Sequence, residues 1–169
     1  MNYRISLISF LLLSPLSQVI AAGLKLAGVF TDHTVLQRDK PAPIWGWAAP
    51  GEPITVRFGE QKKTGKVDAT GKWLIRLDPM PASSEGKVLS VETSVAGQKT
   101  EIHDVLVGDV WICSGQSNMH FQLKSASKAE EEIASANHPK LRFFTVNHQF
   151  AQAPCIDAAG EWKIISPAT

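Results

Sequence analysis

The sequence predicts a β-sandwich N-terminal domain followed by the start of an α/β domain built on a parallel sheet. Three observations carry this expectation. Apolar residues alternate with polar ones in short runs from Gly23 to about Leu106, the period of half-buried strands. Turn signals separate these runs every 8–12 residues or so, as in sandwiches. Beyond them, an apolar run, a glycine-serine turn, a helical stretch and another strand follow in succession, the order of a βαβ unit.

The first 22 residues stand apart from that fold. Arg4 supplies a positive start, Ile5 to Leu13 an apolar core, and Val19-Ile20-Ala21-Ala22 small-residue cleavage positions. This is the pattern of a secretory signal peptide cut after Ala21 or Ala22. Export to the periplasm or the medium is therefore expected, with no stable membrane anchor after cleavage. Formal charge is +1 and Arg4 is the only charged side chain in the segment, so the mature chain is neutral overall. A neutral chain without a clustered basic face argues against a nucleic-acid partner.

Residues 23–106 are assigned to the β-sandwich. Ile54, Val56 and Phe58 form one inward set and Trp73, Ile75 and Leu77 a second, after the turn Asp68-Ala69-Thr70-Gly71. Leu89, Val91, Thr93 and Val95 form a third, and Ala96-Gly97 turns the chain into Lys99–Ile102. Prolines at 41, 43, 50 and 53 belong to edges and turns. Trp45 and Trp47 share one face of their segment and admit a sugar-stacking platform; the simpler expectation is that they cap the core. Trp73 is read as core.

Residues 107–169 are assigned to the first part of the α/β domain. Val110, Trp111, Ile112 and Cys113 read as a buried strand. The chain breaks at Ser114-Gly115 and presents Gln116-Ser117-Asn118, the place where α/β enzymes set a nucleophile. Gly115 is expected to adopt backbone angles that glycine reaches cheaply. Ser117 is the candidate nucleophile; Gly115, Gln116 and Asn118 are candidates to shape the site and its oxyanion contacts. Ser127 and Glu130 have capping-box spacing, opening a helix over about 127–137 that ends before Pro139. Glu130, Glu131 and Glu132 then form a solvated first turn, favoured by the helix dipole. Lys140–Val146 is the next strand.

The cysteines, Cys113 and Cys155, are read as free thiols and lack the paired spacing of a zinc site. His33, His103, His120, His138 and His148 form no metal or acid/base pattern. No metal and no cofactor are inferred.

The string Gly115-Gln116-Ser117-Asn118-Met119 resembles the nucleophile block of the sialate O-acetylesterase family, a branch of the SGNH (GDSL-like) hydrolases. The flanks are similar too: Gly108 to Cys113 before the block, Leu141 to Val146 after it. Upstream, Val35 to Pro41 and Ile44 to Trp47 resemble the opening of the family's β-domain. The resemblance implies a flavodoxin-like SGNH domain and removal of O-acetyl groups from a carbohydrate. Sialic acid is the first expectation, acetylated xylan or another plant polysaccharide the alternative. It also implies Ser117 as nucleophile, an acetyl-enzyme intermediate and no cofactor. In the family the completing oxyanion residues and the histidine with its acidic partner come later than Thr169, so the chain reads as a truncated domain, inactive alone. His120 stands where the family favours an acid, and Ile164-Ile165 where it commonly has a cysteine. A reading from a different class is a non-catalytic β-sandwich that binds glycans or partners.

Overall fold

A computed structural model of the chain describes residues 23–94, 97–147 and 150–169. The expected signal peptide, Val95 of the third inward set, Ala96 of the expected turn, and His148 lie outside these residues. The described chain is mostly β-strand. In order it forms β1 (Lys25–Leu26), β2 (Val35–Gln37), β3 (Ala42–Trp47), β4 (Pro53–Phe58), β5 (Gln61–Lys66), β6 (Lys72–Leu77), β7 (Ser83–Thr93) and β8 (Lys99–Gly108). A short helix α1 (Ala129–Ser135) and strands β9 (His138–Val146) and β10 (Gly160–Ile165) complete it.

Two sheets share one core. β1, β3 and β6 form a three-stranded antiparallel sheet; β2, β8, β7, β4 and β5 form a five-stranded one in which β2 joins β8 in parallel. The alternation read from the sequence decides what turns inward. Ile54, Val56 and Phe58 on β4, Trp73, Ile75 and Leu77 on β6, and Leu89 and Val91 on β7 are all buried. Full burial of a Leu, Ile or Val contributes about 1.5–3 kcal/mol relative to exposure, so these positions dominate the stability of the unit. Pro43 lies in β3 where β1 no longer reaches, since β1 pairs only with Gly46 and Trp47. Pro53 opens β4. Both are places where a missing N–H breaks no ladder.

Beyond Gly108 the expected order changes. Val110 to Cys113 form no strand: the stretch is unpaired, and Trp111 and Ile112 are 85% and 94% exposed. No neighbouring strand meets it, and without one an apolar run has neither ladder bonds nor a covered face. The expected parallel βαβ unit is therefore absent from the described residues. β9 pairs instead with β10, antiparallel, with Trp162 opposite Phe144 and their rings 5.5 Å apart. The helix is shorter than expected and lacks the capping box. Lys128 occupies the cap in a left-handed conformation (φ 59°) with no side-chain cap bond. The acidic first turn, Glu130 to Glu132, is present.

Three polar anchors hold the β9–β10 hairpin to the sheets. The Arg142 guanidinium donates to the backbone carbonyls of His33 and Asp104 and, at 2.7 Å, to the Asp104 carboxylate. The Trp162 indole N–H donates to the Val29 carbonyl at 2.8 Å. Asp157 accepts from the Gly28 N–H at 2.7 Å and from Lys25 Nζ at 3.0 Å.

Candidate active site

The nucleophile block lies between the end of β8 and α1. Ser117, Asn118, Met119 and His120 form a single 3-10 turn, with Gln116 extended ahead of it (φ −98°, ψ −154°). Met119 N–H donates to the Gln116 carbonyl at 2.9 Å and Phe121 N–H to the Asn118 carbonyl at 3.2 Å. The N–H groups of Ser117 and Asn118 precede the first of these bonds, as at any helical start. Gly115, Gln116, Ser117 and Asn118 are all exposed.

Gly115 is constrained differently from the expectation. It is not among the glycines at positive φ. The constraint is one of space: a Cβ there would lie 2.9 Å from Met119 Cγ, so a side chain at 115 would make the half-exposed Met119 shift. The turn folds Met119 back over Gly115, so the block is a compact unit of Gly115 to Met119.

Two open hollows flank the block. One, of about 700 Å³, is lined by Val110, Trp111 and Cys113 together with Arg142 and Phe143 of β9. The other, of about 730 Å³, is lined by Met119 to Lys124, by Ile133 and by the last residues, Ile165 to Thr169. Ser117 lines neither. The serine is exposed and belongs to neither of these concave, partly apolar surfaces.

A histidine–carboxylate pair is present elsewhere. His33 Nδ1 lies 2.7 Å from Asp104 Oδ2, the same oxygen that Arg142 bonds. Burial alone would raise the Asp104 pKa. The hydrogen bonds from His33 and Arg142, with the Arg142 charge, outweigh it and hold the carboxyl below its usual range. The Arg142 side chain is nearly enclosed, 3% exposed. Ser117 is not part of this cluster, which docks β9 rather than activating a hydroxyl. Sequence reasoning missed it, because its members lie 38 and 71 positions apart.

Cys113 and Cys155 are free and exposed. Among the described residues, no group of three or more His, Cys, Asp or Glu side chains is placed to hold a metal ion.

Comparison with known proteins gives a consistent result. The chain is 32% identical to the sialate O-acetylesterase of Mus musculus over 83% of its own length and 28% of that protein. It is 30% identical to the sialate O-acetylesterase of Rattus norvegicus over 92% of its length and 30% of the relative. An alignment of that extent includes residue 117 wherever it begins. Among solved structures, a carbohydrate acetylesterase from Xanthomonas citri superposes with a TM-score of 0.81 at 40% identity. That match covers 86% of this chain and 33% of the other. The chain thus spans less than a third of the curated relatives it matches. No family model matches.

Proposed function

The chain belongs to the sialate O-acetylesterase-like family, and on that premise we propose that it carries the nucleophile of an exported carbohydrate O-acetylesterase. Ser117 attacks the acetyl carbonyl while a histidine oriented by a carboxylate takes its proton. The Ser117 and Asn118 N–H groups contribute to the oxyanion contacts. Gln116 and Asn118 border the serine, and Gly115 lets the turn close under it. An acetyl-enzyme forms, water releases acetate, and no cofactor takes part. In this reading residues 23–106 are a β-sandwich that supports the domain, and 107–169 supply the first part of its SGNH-like body. The His33–Asp104 pair does not include Ser117, so the base in this reading is a different histidine.

One observation carries the proposal. The turn that exposes Ser117 and frees two N–H groups beside it is built from the string Gly115 to Met119, within a segment aligned to esterases. A serine is a weak nucleophile unless a base is at hand, so the exposed hydroxyl suits a site that a second group completes.

The test is acetate release by the protein purified from its source cells, assayed on O-acetylated sialic acid and on acetylated xylan. Ser117→Ala is expected to lower the rate by at least about 10³-fold on the accepted substrate, given what removal of a nucleophile costs elsewhere. An unchanged rate in that variant rejects Ser117. A rate on xylan alone keeps the chemistry and replaces the sialate.

A further inference from the structure

The outer face of the three-stranded sheet carries a feature that esterase chemistry at Ser117 leaves unused. Along β3 the residues alternate, Ala42, Ile44 and Gly46 buried and Trp45 and Trp47 only half-buried. The two indoles therefore project from the opposite side of the strand, roughly 6.8 Å apart along it. They pack against the margin of the core but keep an open edge. Leu74, directly opposite Trp45 on β6, is 49% exposed. Together they wall an open cavity of about 390 Å³ that Ile156 also lines.

Both rings already have a neighbour. Trp45 meets Phe30 edge-on, centroids 4.7 Å apart and planes at 77°. Lys25 Nζ lies over one face of the Trp47 ring, 4.9 Å from its centroid, so a ligand would meet the opposite face. Rings already held lose little freedom when a ligand arrives. The rim is polar: Lys66, Asp68 and Lys72 line the same cavity. Asp68 Oδ1 accepts from the Thr70 N–H and hydroxyl and from the Lys72 N–H, at 2.7, 2.7 and 3.0 Å. Those bonds pin the carboxylate in one orientation. Trp73 also lines the cavity, and its indole N–H is buried with no hydrogen-bond partner.

We propose that this cavity is a pyranose-binding subsite, in which Trp45 and Trp47 meet the C–H face of a sugar ring and Lys66, Asp68 and Lys72 bond its hydroxyls. The chemistry selects the ligand. Ligand pockets combine mostly apolar and aromatic walls with a few fixed polar groups. A pyranose matches that combination: one face presents C–H bonds to an indole while its edge presents hydroxyls. An ammonium donates to a hydroxyl and a carboxylate accepts from one, and bonds to charged groups are the stronger kind. The subsite is independent of Ser117 and places a glycan on the β-sheet region.

Calorimetric titration of the intact chain with xylohexaose and with sialyllactose tests the proposal. Saturable binding of either sugar is expected, xylohexaose alone indicating a neutral chain and sialyllactose alone an acidic one. Trp47→Ala and Leu74→Glu are each expected to weaken binding at least roughly tenfold. Leu74→Glu serves as the second variant because its half-exposed position lets the fold survive, checked by an unchanged thermal midpoint. Absence of saturable binding of both sugars overturns the subsite. So does equal affinity in the wild type and a folded Leu74→Glu variant.

Discussion

Residues 23–108 and 109–169 contain similar kinds of apolar residue and use them in opposite ways. In the first region Ile44, Ile54, Leu77, Leu89 and Val91 are enclosed, and among its described residues Leu74 and Val88 are the large hydrophobics that stay exposed. In the second, among the described residues only Ala129 and Trp162 are buried, while Trp111, Ile112, Phe121 and Phe150 face outward. The difference does not come from hydrophobicity. It comes from pairing: every strand from β1 to β8 has a ladder partner that turns one face onto a second sheet, whereas β9 and β10 have only each other. Two strands alone are marginal in water. The hairpin is therefore positioned by three polar anchors, where the sheets are held by burial.

The contrast is broken most directly by matched substitutions. Leu77→Ala removes an enclosed side chain from β6 and is expected to cost about 2–5 kcal/mol, the range for large-to-small core changes. Ile112→Ser alters a residue that is 94% exposed and is expected to stay within about 0.5 kcal/mol. Urea unfolding of the two variants compares them under one condition. Equal losses would mean that the second region has a core of its own.

These two positions also mark how far the sequence could be read. Alternation over 54–58, 73–77 and 89–93 was enough to give three strands and their inward sets, because burial on one face of a sheet writes period two into the chain. The same apolar signal at Val110 to Cys113 predicts a buried strand, yet periodicity reports what a segment wants to bury and not whether a partner is there. β5 went unseen since Gln61-Lys62-Lys63 has no apolar signal; it is an edge strand, where lysines discourage pairing with other chains. For Trp45 and Trp47 the pattern gave a shared face, and only the sheet showed which face. The Ser117 block was legible through its resemblance to a family, while the reason for Gly115, contact with Met119, needed coordinates. The anchors were not legible at all. Asp157 and Gly28, or Trp162 and Val29, are separated by 129 and 133 positions, and no local rule connects residues that far apart.

A smaller effect sharpens the second half of the contrast. Arg142→Met keeps the stem of the side chain and deletes its donors, leaving the His33 and Asp104 carbonyls without that partner. Leaving buried acceptors unsatisfied costs about 1–3 kcal/mol. The lower half of that range is expected, because the Asp104 side chain is 37% exposed and water can take up its carboxylate. Hydrogen exchange locates the damage. Amides of β9 and β10 are expected to lose protection while those of β4 and β7 keep it. Uniform loss across both would mean that Arg142 supports the sheets rather than docking the hairpin.

The smallest effect is a pH dependence confined to the hairpin. Burial would raise the Asp157 pKa, but hydrogen bonds from the Gly28 N–H and Lys25, with the Lys25 charge, outweigh it and hold the carboxyl below its ordinary 3.8. A depressed native pKa means that the unfolded or undocked chain binds the proton more readily. The contribution of Asp157 is then fully present above about pH 4 and is lost as pH falls through the lowered native value. Asp104 is shifted in the same direction, so both anchors weaken together in acid. The Trp162 indole proton, bonded to the Val29 carbonyl, reports docking by NMR. Its resonance is expected to move toward the undocked position as pH drops from 5 to about 3, reflecting less than about 1 kcal/mol for a partly exposed pair. Asp157→Asn cannot ionise at that site, so the shift with pH should become shallower and retain only the Asp104 part. An equally steep shift in Asp157→Asn would place the acid sensitivity elsewhere, and Asp104 with Arg142 would then be the anchor that decides where the hairpin sits.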